Sequence, residues 1–241
     1  MHLTFLAKTT TCLLAAGLLM QANAFGASWT AGTGNWADPD NWEGGVVPDL
    51  NNEGAAIANG GTAQITSNVA ARTLTIAARN TTGHLEILAG GTLSVGILNM
   101  SRLGGSDATL VIRGGALVGP VLNNTDIEVA TPNLDYQYST GLIVVSEGGS
   151  LSIPWQITLG RLKGQATLQI GEGGAAGTVV ADRIIGQGTG GGSGSVVFNH
   201  NESDYAFGTQ IGSEYNGDTY SSAVRVVQDG PGVPTLTHTN Y

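Results

Sequence analysis

The phrase "DATLVIRGGALV" (Asp107 to Val118) is nearly repeated as "QATLQIGEGGAA" (Gln165 to Ala176). Glycine pairs close comparable phrases elsewhere: "AIANGGTAQI" (Ala56 to Ile65), "LEILAGGTLSV" (Leu85 to Val95) and "IVVSEGGSLSI" (Ile143 to Ile153). Each is a short alternating strand, a glycine turn and a second short strand. Period-two alternation sends one side chain in and the next out. The inward set is Leu85 and Ile87, Leu110 and Ile112, Ile143 and Val145, and Leu168 and Ile170. The first glycines of the pairs, at 60, 90, 114, 148 and 173, are spaced 30, 24, 34 and 25 residues apart. A longer unit also recurs: "MSRLGGSDATLVIRGG" matches "LGRLKGQATLQIGEGG", which sets Arg102 against Arg161.

Periods of 20–50 residues signal solenoids, propellers or arrays. Strands this short bury no face alone, so each turn must stack on its neighbours. The expected fold is all-β: a right-handed parallel β-helix. A β-sandwich of hairpins uses similar strands but does not call for a repeated strand-turn-strand phrase. A propeller ranks below both. Charged residues are only 11% of the chain, and Val, Ile and Leu are frequent. That composition is opposite to the one that keeps chains disordered.

Residues 1–24 read as a secretory signal peptide, with Lys8 in the positive region, "CLLAAGLLM" as the apolar region and "ANA" before Phe25. The apolar run is about half the roughly 20 residues of a spanning helix, so a membrane anchor is the weaker alternative. No membrane span is expected in the remaining chain of about 217 residues. Cys12, the only cysteine, is lost with the leader. The net charge of −9 then becomes −10, with Lys163 the one remaining lysine. Such a chain has no electrostatic footprint for nucleic acid.

The expected organisation is a tryptophan-rich N-terminal cap over residues 25–53, β-helix repeats over 54–193, and a distinct C-terminal repeat over 194–241. A loop excursion, "LNNTDIEVATPNLDYQYSTG", is expected at about 122–141, with Tyr136 and Tyr138 among its polar and aromatic groups. Loops on rigid scaffolds often carry binding function. Trp29, Trp36 and Trp42 are expected to cover the first coil, since solenoid ends need capping. The alternative has Trp36 and Trp42 as a sugar-stacking platform.

The opening "GNWADPDNWEGGVVP" and repeats such as "LEILAGGTLSV" resemble the passenger domains of bacterial autotransporters. "GSVVFNHNESDYAFGTQIGS" and "VRVVQDGPGVPTLTHTNY" resemble the autotransporter-associated β-strand repeat, on Phe198, Tyr205, Phe207, Gly230, Gly232, Leu236, Asn240 and Tyr241. The resemblance implies type V export to the outer membrane or cell surface and a structural or adhesive role. It also implies a C-terminal membrane barrel, for which the sequence through Tyr241 holds no strands. The expected partners are an extracellular glycan or a host or neighbouring surface protein.

Catalytic chemistry is not expected. His84, His200 and His238 are far apart, lack metal-ligand spacing and read as surface or turn residues. No nucleophile elbow is present. Asp38, Asp40, Glu43 and Asp49 form the densest carboxylate cluster, but their spacing is not that of a calcium loop, and they read as acidic turn residues. No cofactor or metal is expected. The enzymatic alternative is a polysaccharide lyase or hydrolase. In it Arg102 and Arg161, with Lys163 and Arg113 near, bind an anionic sugar rather than pairing with Glu147 and Glu172.

Overall fold

Alternating strands of this length bury their apolar side only by stacking coil on coil, and the chain does so. The structure is a computed structural model describing residues 26–51, 54–119, 127–130, 138–187, 191–212 and 224–238. The chain is an all-β parallel solenoid of about seven turns. Its described helical content is two 3-10 turns, Pro39–Asn41 and Glu43–Gly45.

The first sheet stacks Thr33–Asn35, Thr62–Ile65, Thr82–Leu88, Asp107–Arg113, Ser139–Ser146, Gly164–Ile170, Ser193–Phe198 and Val224–Gln228. Every neighbouring pair is parallel. The second sheet stacks Ala27–Ser28, Ala55–Ile57, Asn68–Ile76, Thr92–Met100, Ile127–Val129, Gln156–Arg161, Arg183–Gln187 and Gln210–Gly212, all parallel. The chain alternates between the two sheets.

Register aligns like with like. Ala63, Leu85, Leu110, Ile143, Leu168, Val196 and Val226 form one inward ladder. Ile65, Ile87, Ile112, Val145, Ile170 and Phe198 form the second. From Ala63 to Phe198 these side chains are fully buried. Burying each large aliphatic chain stabilises the fold by about 1.5–3 kcal/mol.

The doubled glycine has two physical jobs. Gly90 holds φ +84°, a left-handed conformation that costs a side chain strain. Gly91 has no such φ, but a methyl group on it would overlap the Ile65 carbonyl oxygen of the preceding coil. Thus the first glycine turns the chain and the second lets the next coil seat. Gly61, Gly115 and Gly149 abut Ala31, Leu88 and Ile112 carbonyls in the same way. The fifth pair departs: Gly174 faces open space, and Gly177 seats against Val145 instead.

Asn68–Ile76 and Thr92–Met100 are single nine-residue strands. In the next coil that strand divides. Thr92 to Ser94 pair with Ala116–Val118, whereas Asn99 and Met100 pair with Glu128 and Val129. The division persists as Ser150–Ser152 with Gln156–Arg161 and as Thr178–Val180 with Arg183–Gln187. Ile127–Val129 lies inside the stretch expected as an excursion, so part of that stretch is wall, not loop. Residues 122–126 and 131–137 of the expected excursion, Tyr136 among them, lie outside the described residues. Residues 1–24, expected as a leader, and Phe25 lie outside them as well.

Ser193–Phe198 and Val224–Gln228, from the C-terminal repeat, continue the first sheet without a break. Tyr205–Phe207 and Pro234–Leu236 form a small parallel sheet beside it. At the opposite end Trp29, Trp36 and Trp42 are buried in the same core cluster as Ile57, Ala63 and Ile65. Trp42 meets Trp29 and Trp36 edge-on, at centroid distances of 5.1 and 4.7 Å. The Trp42 Nε1–H donates to the Trp36 carbonyl oxygen at 2.7 Å.

Candidate functional site

The outward side of the first sheet is a long surface that the register builds. Thr62, His84, Thr109, Leu142, Thr167, Ser195 and Arg225 form one outward column. Beside it run Gln64, Glu86, Val111, Val144, Gln169, Val197 and Val227. Neighbouring strands lie about 4.8 Å apart. The columns are therefore closely packed arrays, mostly of β-branched, hydroxyl and amide groups with His84, Glu86, Leu142 and Arg225 among them, and Val144 is buried within its column. Gln64 Nε2 donates to the Glu86 carboxylate at 2.7 Å within such a column.

An ion cluster closes one end of this face. Arg113 grips Glu172 two coils away through Nη2 at 2.9 Å and Nε at 3.1 Å. Glu147 stands 3.7 Å from Arg113 Nε. The Ser146 hydroxyl donates to Glu172 at 2.7 Å. The Arg113 hydrogen bond holds the Glu172 carboxyl below its ordinary value of 4.5, with the Ser146 hydroxyl adding to the effect. The same bond raises the Arg113 guanidinium. A lowered folded value contributes stability at pH above the ordinary one, and that stability is lost as pH falls through the folded value. Glu172→Gln should therefore cost about 0.5–1 kcal/mol at pH 7, the size of a partly exposed pair. The deficit should shrink toward zero in urea unfolding as the pH is taken well below 4.5.

Arg102 and Arg161 do not join that cluster. Both sit at the other end of the first-sheet strands, about 20 Å from Arg113 at 3.3 Å per residue. The Arg161 amide donates to the Ala130 carbonyl, as the Ala130 amide does to Met100, so one coil separates the two arginines' turns. Arg102 bonds Asn99 at 3.4 Å and lies 3.8 Å from Glu128. The expected pairing with Glu147 and Glu172 belongs to Arg113 instead, because those acids lie at the opposite corner. Lys163 stands 5.6 Å over the Tyr138 ring, itself 64% exposed.

Trp36 and Trp42 are 0% and 2% exposed. Neither offers a ring face to a sugar, because burying an indole in the core gains more than leaving it wet. The exposed indole among the described residues is Trp155, at 42%. Val118, Ser152 and Val180 form an outward column in the adjoining short strands. Strict alternation from Leu151 and Ile153 would have sent Trp155 inward, but the strand ends at Ser152 and the chain turns through Pro154. Trp155 should account for most of the tryptophan fluorescence that acrylamide quenches, and Trp155→Phe should abolish most of that quenching.

His200 is a correction of a different kind. Expected at the surface, it is fully buried. Its Nδ1 accepts from the Glu202 amide at 3.2 Å, and its ring lies 4.8 Å from that of Tyr205. Alternation through Val196 and Phe198 carries the signal, since His200 is the next inward position. Burial pushes the Tyr205 phenol up to about 12, with Glu202 adding to it. Its hydroxyl donates to the Gly177 carbonyl at 2.7 Å.

Among the described residues, no three His, Cys, Asp or Glu side chains gather to hold a metal ion. The Asp38 carboxylate accepts from the Asp40 amide at 3.1 Å, and Asp49 from the Asn51 amide at 2.7 Å. No described helix is long and apolar enough to cross a membrane. No protein family, curated protein or solved structure matches the chain.

Proposed function

We propose that the chain is an exported, passenger-like β-helix protein with a structural or adhesive role, working at the cell surface, outside the cell or in the periplasm. The observation that carries this reading is the outward column from Thr62 to Arg225, seven aligned side chains on one rigid face. A long face of aligned polar and branched groups suits contact with an extended glycan or a neighbouring surface protein. In this reading residues 1–24 are a leader and the coils wind right-handed. The three indoles cap the first coil, and type V machinery is the exporter. The test is fractionation of the native host with protease treatment of intact cells. The expected result is a chain shortened at its N terminus in the envelope or medium. An uncleaved cytoplasmic chain overturns the reading.

Trp155 favours a second reading, glycan binding without turnover. Titration with soluble glycans should then shift its fluorescence, and Trp155→Ala should remove binding. Shortening of the glycan would instead support a polysaccharide-active enzyme.

A further inference from the structure

Between Ser150–Ser152 and Gln156–Arg161 the chain uses residues 153–155; one coil on, between Thr178–Val180 and Arg183–Gln187, it uses only 181–182. Ser152 pairs with Val180 and Gln156 with Arg183, so the first of these coils carries one surplus residue. Ile153 stays buried, and the surplus is taken up outward: Pro154 and Trp155 are both exposed. The Asp182 amide donates to the Trp155 carbonyl at 2.7 Å. That bond sets the two residues side by side in adjacent coils, about 4.8 Å apart. Asp182 Oδ2 accepts from Arg183 Nε at 2.9 Å and from Nη2 at 2.7 Å, which fixes the guanidinium against the carboxylate. The Asp182 side chain is 50% exposed and that of Arg183 34%. Among the described residues, Asp182 Oδ1 and Arg183 Nη1 have no partner. An acceptor and a donor therefore remain for a ligand beside the exposed indole.

We infer that Trp155, Asp182 and Arg183 form one site for a neutral pyranose unit of an extended glycan. The inference rests on the glycan-binding reading and names its ligand class. An exposed indole keeps a broad apolar face, and the C–H face of a pyranose ring is its complement. Sugar hydroxyls both donate and accept, so they call for an acceptor beside a donor. A carboxylate locked to a guanidinium supplies both in fixed places. The step of about 4.8 Å from coil to coil lies within the span of one sugar ring. A ring stacked on the indole therefore reaches the ion pair in the next coil. An anionic sugar is the poorer fit. Asp182 already neutralises Arg183, and the chain's net charge of −9 repels a polyanion. Arg161 adds nothing here, because it stands at the other end of Gln156–Arg161, about 16 Å away at 3.3 Å per residue. Salt screens charges at that distance.

Affinity electrophoresis of the purified chain tests it. Native gels are cast with soluble neutral polymers of glucose, mannose, galactose or xylose and, separately, with polygalacturonate. The wild type should be retarded by at least one neutral polymer and not by polygalacturonate. Trp155→Ala should abolish the retardation, and Trp155→Tyr should keep part of it. Asp182→Ala and Arg183→Ala should each weaken binding on the order of tenfold, the loss of one hydrogen-bonding group. The circular dichroism spectrum of every variant should match that of the wild type, since these side chains lie outside the inward ladders. Retardation that survives Trp155→Ala, or is indifferent to Asp182→Ala and Arg183→Ala, overturns the site and leaves glycan binding standing. Retardation by polygalacturonate overturns the neutral class. No retardation by any polymer overturns both the inference and the glycan-binding reading.

Discussion

Replacing Leu110 with alanine should destabilise the chain by about 2–5 kcal/mol, read from the urea midpoint by circular dichroism. Leu110 stacks between Leu85 and Ile143 and is fully buried. The cavity cannot close by settling, because backbone hydrogen bonds fix neighbouring strands about 4.8 Å apart. A solenoid's stability is close to a sum of coil and interface contributions. A hole in a central coil weakens the interfaces on both of its sides. Val111→Ala, one residue along on the outward face, should cost less than about 1 kcal/mol. Equal effects at the two positions would refute the inward ladder.

The second large effect separates the seating glycine of one pair from the turning glycine of another. Gly91→Ala should cost about 3 kcal/mol or more, because its methyl group meets the Ile65 carbonyl and drives two coils apart. Gly148→Ala should cost only about 1 kcal/mol: φ is +73°, but nothing lies within 4 Å of the added methyl. Thermal unfolding of both variants reads the difference. Comparable losses would show that conformation alone, not stacking, fixes the glycines.

The solenoid was legible because its signal is local and repeated. Alternation named Leu85, Ile87, Leu110 and Ile112 as inward, and the ladders align these residues with their counterparts in the neighbouring coils. Sites were harder, since they depend on which coil meets which. Arg102 and Arg113 lie eleven positions apart, yet a whole strand separates their corners. Glu172 is far from Arg113 in sequence, but two coils bring it within 2.9 Å. Trp155 escaped because a proline turn broke the alternation beside it. His200 is polar in type but inward in phase, two positions past Phe198, and only the phase predicts its burial.

The joint that divides the long second-sheet strand has a consequence for how such a chain can change. That joint holds residues 153–155 in one coil and 181–182 in the next. The flanking strands remain in the walls whatever the joint's length. Extra residues there cost mainly closure entropy, about 0.6 kcal/mol per doubling. New sequence can therefore be spliced in along one rim of the molecule, coil by coil, while the ladders that hold the coils together are left untouched.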